Sequence, residues 1–271
     1  MSTEKQAIGV FDSGIGGMTA LHKLAELLPH ENLIYLGDTA RVPYGNRSPE
    51  TIRQYAQQSA EFLLQHSVKF MLIACNSISC VALSDIENLS PIPVMGVIKP
   101  AVDAALNRPK CHRIGIIGTR ATIQSRAYEI EIHSKLNSDE EVSIYTMPCP
   151  LFVPLVEEGW HHHPVVYTIA KEYLQPLIEA KVDTLILACT HYPLLKKVIQ
   201  EIMPDVHLVD SGEEAAIRVA KHITSDKNQD QTSNRKGKIE CYLTDLSRHS
   251  LDFSQRFLGL TKENIHEISV G

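Results

Sequence analysis

One pattern constrains this chain more than any other: a short apolar run, a loop, then a stretch of helical periodicity, repeated along its length. The runs are Ala7 to Phe11, Leu33 to Leu36, Phe70 to Ala74, Val94 to Val97, Arg113 to Ile117, Val142 to Met147, Thr184 to Ala188 and His207 to Val209. Alternation of this kind predicts a mostly parallel sheet covered by helices. Helical periodicity is plainest in Ile52, Tyr55, Ala56, Ala60, Leu63 and Leu64, which are expected core positions. Ser225 to Lys238 is polar and charged without apolar periodicity and reads as a surface loop to which no function is assigned.

Two strand-and-loop signatures each occur twice, in the same order. IGVFDSG from Ile8 is echoed by IGIIGTRAT from Ile114, and LIACNS, with Cys75, by LILACTH, with Cys189. Between each pair lies a further strand with a proline-bearing loop, YLGDTARVPYG and then IYTMPCPLFVP. The pattern predicts a duplicated α/β unit packed about a pseudo-twofold axis. In open parallel sheets ligands bind beyond the carboxyl ends of the strands, where both cysteines fall. Cys75 and Cys189 are therefore expected to face one cleft from opposite sides. Each is read as preceding a helix whose N-terminal N–H groups would lower a thiol pKa.

Two opposed groups, one protonated and one not, are what inversion at a carbon needs: one removes a proton from one face while the other supplies one to the opposite face. A thiol, with a reference pKa of about 8.5, suits both tasks after modest tuning. The bland alternative is that free cysteines simply pack at strand ends. The six cysteines (Cys75, Cys80, Cys111, Cys149, Cys189 and Cys241) include no Cys-x-x-Cys and no zinc-ligand spacing, so thiols are expected rather than disulfides or metal ligands. A formal charge of −6 gives no footprint for nucleic acid or an anionic membrane. No apolar stretch approaches the ~20 residues of a membrane span, and Met1 to Gln6 is polar, so a soluble, cytoplasmic protein is expected.

Two other motifs are set aside. Gly14-Ile15-Gly16-Gly17 invites a nucleotide reading, but Thr19 stands where the third glycine of Gly-x-Gly-x-x-Gly belongs, and the P-loop lysine is missing. The glycines are expected instead to allow a tight loop presenting Asp12 and Ser13. His161, His162 and His163 are adjacent and precede Pro164 at an expected helix start, which suits a surface run better than a metal site.

IGVFDSGIGG, GDTARVPYG, ACNS, CPLFVPLVEEG and LACTHYPLL occur in an order and spacing that resemble the glutamate racemases, over almost the whole chain. The resemblance implies a cofactor-independent, metal-free interconversion of L- and D-glutamate that supplies D-glutamate for peptidoglycan. It implies Cys75 and Cys189 as the two bases, with Asp12 assisting the first and His191, with Glu157, the second. Read without the family, Asp12 could equally cap the helix expected near Thr19, and His191 could be a satisfied loop residue.

Substrate binding is implied for Asp12, Ser13, Pro43, Tyr44, Gly45, Asn76, Ser77, Thr119, Thr122, Thr190 and His191, with Asp38 a candidate near the ammonium. The fold expected is α/β, with two pseudo-symmetric subdomains and the site in the cleft between them. Residues 1–97 with 210–271 would carry Cys75, and residues 98–209 would carry Cys189. Ile239 to Leu243 is read as a strand completing the first subdomain. One departure from the family pattern is Ala74-Cys75-Asn76-Ser77-Ile78, where ACNT and a small residue are usual; Ser77 keeps the hydroxyl while Ile78 adds bulk.

Neither nucleic acid nor a membrane is an expected partner, and a homodimer is left open. Some family members carry an N-terminal extension linked to activation. It is expected to be missing here, because the first strand begins within the opening ten residues. An aspartate racemase, a one-cysteine decarboxylase of the same superfamily and a non-catalytic protein binding acidic amino acids remain the alternatives.

Overall fold

The computed structural model describes residues 6–108, 112–137, 141–225 and 236–270, so most of the loop read at Ser225 to Lys238 lies outside the described residues. Among the described residues ten strands form two sheets in which every pairing is parallel. The first holds β1 (Ala7–Asp12), β2 (Leu33–Gly37), β3 (Val68–Ile73), β4 (Val94–Gly96), β9 (Ile239–Leu243) and β10 (Ile265–Glu267), in the order β10-β9-β2-β1-β3-β4. The second holds β5 (Arg113–Gly118), β6 (Ser143–Pro148), β7 (Thr184–Ala188) and β8 (His207–Asp210), in the order β6-β5-β7-β8. The runs β2-β1-β3-β4 and β6-β5-β7-β8 are the same arrangement twice, so the repeated motifs occupy equivalent strands. Only the first sheet is extended, by β9 and β10.

Both faces of each sheet are covered, which is why the strands read as continuous apolar runs. Side chains alternate across a strand, so Ile8 and Val10 of β1 enter one core and Ala7 and Phe11 another. The face with Ile8 and Val10 lies under α1 (Met18–Leu27), α11 (Ser211–Ser225) and α12 (Arg248–Leu258). The opposite face packs against α2 (Pro49–Leu64), α3 (Asn76–Val81) and α4 (Leu83–Leu89). α2 starts where the sequence signals a start: Ser48 caps it by accepting from the Thr51 N–H, and Pro49 opens its first turn.

On the second sheet, α5 (Ile98–Leu106), α6 (Arg120–Ser125) and α7 (Ala127–Lys135) cover the side of Ile114 and Ile116. α8 (Phe152–Glu157), α9 (Pro164–Glu179) and α10 (Lys196–Ile202) cover the side of Leu185 and Leu187. The chain leaves the first sheet at β4 and returns after β8 through α11, whose Ala215, Ala216 and Val219 join the core of Ile8 and Val10. β9 then pairs with β2 from Leu33↔Ile239 to Gly37↔Leu243.

The histidine run opens α9, with His163 Nδ1 accepting from the Val165 N–H. Among the described residues no group of three or more His, Cys, Asp or Glu could hold a metal ion, and no helix is long and apolar enough to cross a membrane.

Candidate active site

Strand register sets the site. Phe11 pairs with Ile73, so Asp12 and Ser13 leave β1 beside Ala74 and Cys75 leaving β3. Gly118 pairs with Ala188, so Thr119 leaves β5 beside Cys189 leaving β7. The two thiols line one small cavity together with Ser13, Val42, Pro43, Tyr44, Gly45, Asn76, Ser77, Thr119, Val153, Thr190 and His191. Its volume of about 30 Å³ admits one or two waters, so an amino acid could enter only if the walls moved apart. Eleven of these thirteen lining residues are expected from sequence; Val42 and Val153 are not, being apolar residues inside the motifs VPYG and CPLFVP.

At the first end the Cys75 thiol points to Ser13 Oγ at 3.4 Å. Its pKa contradicts the expectation of a thiol lowered by a helix N-terminus. Burial pushes it up, the Asp12 carboxylate adds to the rise, and the bonds to Ser13 and the Ile78 N–H oppose it without prevailing. α3 has only six residues, too short to outweigh the loss of water. Asp12 stands behind the cavity, 1% exposed. Its Oδ2 accepts from the Gly14 and Gly17 N–H groups at 3.2 and 3.1 Å, and Oδ1 accepts from Thr190 Oγ at 3.4 Å. It therefore both holds the start of α1, the plainer of its two readings, and reaches across to the loop after Cys189. Burial raises its pKa, against the charge of His191 and the N–H bonds, which lower it.

The second end differs. No helix begins at Cys189; Thr190 and His191 follow, then a short turn at Tyr192–Leu195, and α10 starts only at Lys196. The charge comes from a side chain instead. His191 Nε2 lies 3.1 Å from Glu157 Oε1 at the end of α8. Burial pulls the His191 pKa down, but its hydrogen bonds to Cys189 and Glu157 and their negative charge prevail, raising it to about 10. A protonated imidazole thus sits beside Cys189 at neutral pH. Among the described residues the other cysteines are free thiols held neutral by burial, Cys80 and Cys241 pushed up to about 12 and Cys149 also raised.

Hydroxyls and amides stitch the halves together around the thiols. Ser77 Oγ lies 3.0 Å from Thr119 Oγ and 3.4 Å from Thr122 Oγ, which are themselves 3.0 Å apart. Thr122 supports Thr119 from α6 and does not reach the cavity. Ser77 thus keeps its hydroxyl contact, while Ile78 is buried in the core beneath α3. Asn76 receives the Tyr128 hydroxyl on Oδ1 at 2.6 Å and donates Nδ2 to Ser211 Oγ at 3.1 Å, two partners that no local motif signals. Two glycines let the halves meet. A Cβ on Gly16 would lie 2.4 Å from Thr190 Oγ, and one on Gly45 would lie 2.6 Å from the Thr119 Cβ.

Asp38 departs from its expected place near an ammonium. It does not line the cavity, and both its oxygens are engaged: Arg41 Nε at 2.6 Å and the Tyr44 hydroxyl on Oδ2, Thr244 Oγ at 2.8 Å on Oδ1. It anchors Tyr44, which forms the wall, to the loop after β9. Glu157 likewise lies outside the inner cavity and reaches it through His191.

A family profile described as Asp/Glu/Hydantoin racemase matches residues 9–219. A glutamate racemase of Syntrophus aciditrophicus is 43% identical over 99% of this chain and 98% of its own length. One of Geobacter metallireducens is 44% identical over 98% of this chain and 97% of its own. The crystal structure of the Francisella tularensis glutamate racemase in complex with D-glutamate superposes with a TM-score of 0.89 at 38% identity, covering 97% of each chain.

Proposed function

The chain belongs to the glutamate racemases of the Asp/Glu/hydantoin racemase family, and we propose that it interconverts L- and D-glutamate by a two-base mechanism with Cys75 and Cys189 as the bases. The observation that carries the mechanism is that the two thiols end equivalent strands of a duplicated fold and line one cavity from opposite halves. One thiol, as thiolate, takes the α-proton from one face; the other, as thiol, delivers a proton to the opposite face; a planar carbanion lies between.

Ser13, Asn76, Ser77, Thr119 and Thr190, with the Pro43-Tyr44-Gly45 wall, supply the hydrogen bonds that hold the two carboxylates and the ammonium. Asp12 and His191 tune Cys75 and Cys189 respectively, and Thr122 and Asp38 support Thr119 and Tyr44. The chain divides into residues 1–97 with 210–271 and residues 98–209, which part to admit glutamate. The site is lined by one chain, so a homodimer would hold two complete sites. Within a bacterial cytoplasm, the product D-glutamate would serve peptidoglycan synthesis.

The test is incubation with L-glutamate in D2O, without added cofactor, following loss of the α-proton signal by NMR and decay of optical activity. Loss of both supports the reading, and Cys75→Ser and Cys189→Ser should then each abolish racemisation. Loss of neither, in folded protein, overturns it.

A further inference from the structure

Resting on that reading, we propose that the His191–Glu157 pair is the route by which Cys189 returns its proton to solvent, through a second cavity, so that the Cys189 half of the free enzyme is reset between turnovers. Two-base racemisation leaves the enzyme changed. A turnover in which Cys189 takes the α-proton and Cys75 gives one ends with a Cys189 thiol and a Cys75 thiolate. Before the same direction can run again, one proton must leave Cys189 and one must reach Cys75.

Both sulfurs are buried, Cys75 at 5% and Cys189 at 6% exposed, and the cavity they share is too small for a chain of waters. Beside it lies an open cavity of about 340 Å³, whose lining includes Gly14, Val42, Glu157, Glu158, Asp245 and His249. The His191 side chain, 5% exposed, lines the inner cavity, whereas that of Glu157, 30% exposed, lines the outer one, and their 3.1 Å contact is the step between. Cys75 has no such bridge: its partner Ser13 and the adjacent Asp12 are both buried.

The step balances. The imidazolium passes its Nε2 proton to the Glu157 carboxylate, the ring, still protonated on Nδ1, turns to take the proton of the Cys189 thiol on the vacated Nε2 and turns back, and Glu157 releases its proton to water in the outer cavity. The net change is one proton moved from sulfur to solvent, with His191⁺ and Glu157⁻ restored.

Slow resetting has a kinetic signature distinct from slow chemistry. When free enzyme forms interconvert slowly, that interconversion caps the velocity at high substrate, and label in an equilibrated racemate is driven transiently away from balance by an excess of one unlabelled enantiomer. Glu157→Gln keeps an acceptor for His191 but cannot carry the proton. It should bring on this tracer perturbation at a glutamate concentration at least about tenfold below that of the parent, a larger factor than its loss in kcat/KM. Glu157→Asp, which keeps a carboxylate, should shift the threshold less, and formate should reverse the shift in Glu157→Ala. An unchanged threshold in Glu157→Gln, whatever happens to kcat/KM, would reduce Glu157 to orienting His191 and overturn the proposal. A parent that racemises glutamate while the threshold stays fixed fails only this inference; a parent that does not racemise fails the underlying reading.

Discussion

The two strand ends that carry the thiols have the same geometry and opposite electrostatics. Beside Ala74, just before Cys75, the register places Asp12, an acid; at the equivalent place beside Ala188, just before Cys189, it places Gly118. Two residues beyond Cys75 stands Ser77, and two beyond Cys189 stands His191. One half therefore buries its thiol beside a carboxyl group, both of which favour the neutral S–H, while the other sets a cation against its sulfur. A repeated backbone arrangement fixes where two groups meet; the few side chains that differ set the charge around each.

The largest effect should come from removing either thiol. Cys75→Ser and Cys189→Ser should each lower racemisation by at least about 10³-fold, measured by polarimetry from both enantiomers. A Cys75→Ser enzyme within tenfold of the parent would mean that only one base is needed. Next, Asp12→Asn and His191→Asn should each lower kcat by about 10²-fold in their more affected direction. Because the enantiomers have equal energy in water, kcat/KM must remain the same from either side in every variant. The asymmetry can show only in kcat and KM separately, with Asp12→Asn depressing one direction more and His191→Asn the other. If both depress the same direction, the assignment of one tuning group to each thiol is wrong.

Gly16→Ala tests the seam: its Cβ would lie 2.4 Å from Thr190 Oγ and 2.7 Å from His191 Nδ1, so the halves cannot seat without displacing both, and KM should rise about tenfold in both directions. Stability should also report the charged pair. The His191 pKa is raised on folding from 6.5 to about 10, so its contribution is complete below the lower value and lost as pH rises through the upper one. The excess melting temperature of the parent over His191→Asn should accordingly shrink across that window in thermal scans. The smallest effect is a fall in kcat with solvent viscosity, about twofold or less, if parting of the halves limits turnover. No dependence would place the slow step in the chemistry.

Much of this was legible in sequence, for physical reasons. Parallel strands buried on both faces must be apolar along their length, so β1 to β9 announce themselves, while β10, only Ile265-His266-Glu267 at a sheet edge, does not. The thiols and their loop neighbours were legible because strand ends bring local motifs to the cleft. Asp38 was misplaced because its partner Thr244 lies 206 residues away. The supports of Asn76, Tyr128 and Ser211, were hidden for the same reason. The rise of the Cys75 pKa was missed because burial, which sequence conveys poorly, outweighed the helix end, which it conveys well.

The matching strand orders also bear on what kind of symmetry an enzyme of mirror images can use. A pseudo-twofold axis is a rotation, and no rotation turns L-glutamate into D-glutamate; only a reflection does, and a chain of L-residues cannot supply one. Exchanging the halves of this fold therefore does not exchange its substrates. Nothing in the reaction requires the two halves to be alike, and at the cleft they are not: one brings a carboxyl group to its thiol and the other an imidazole.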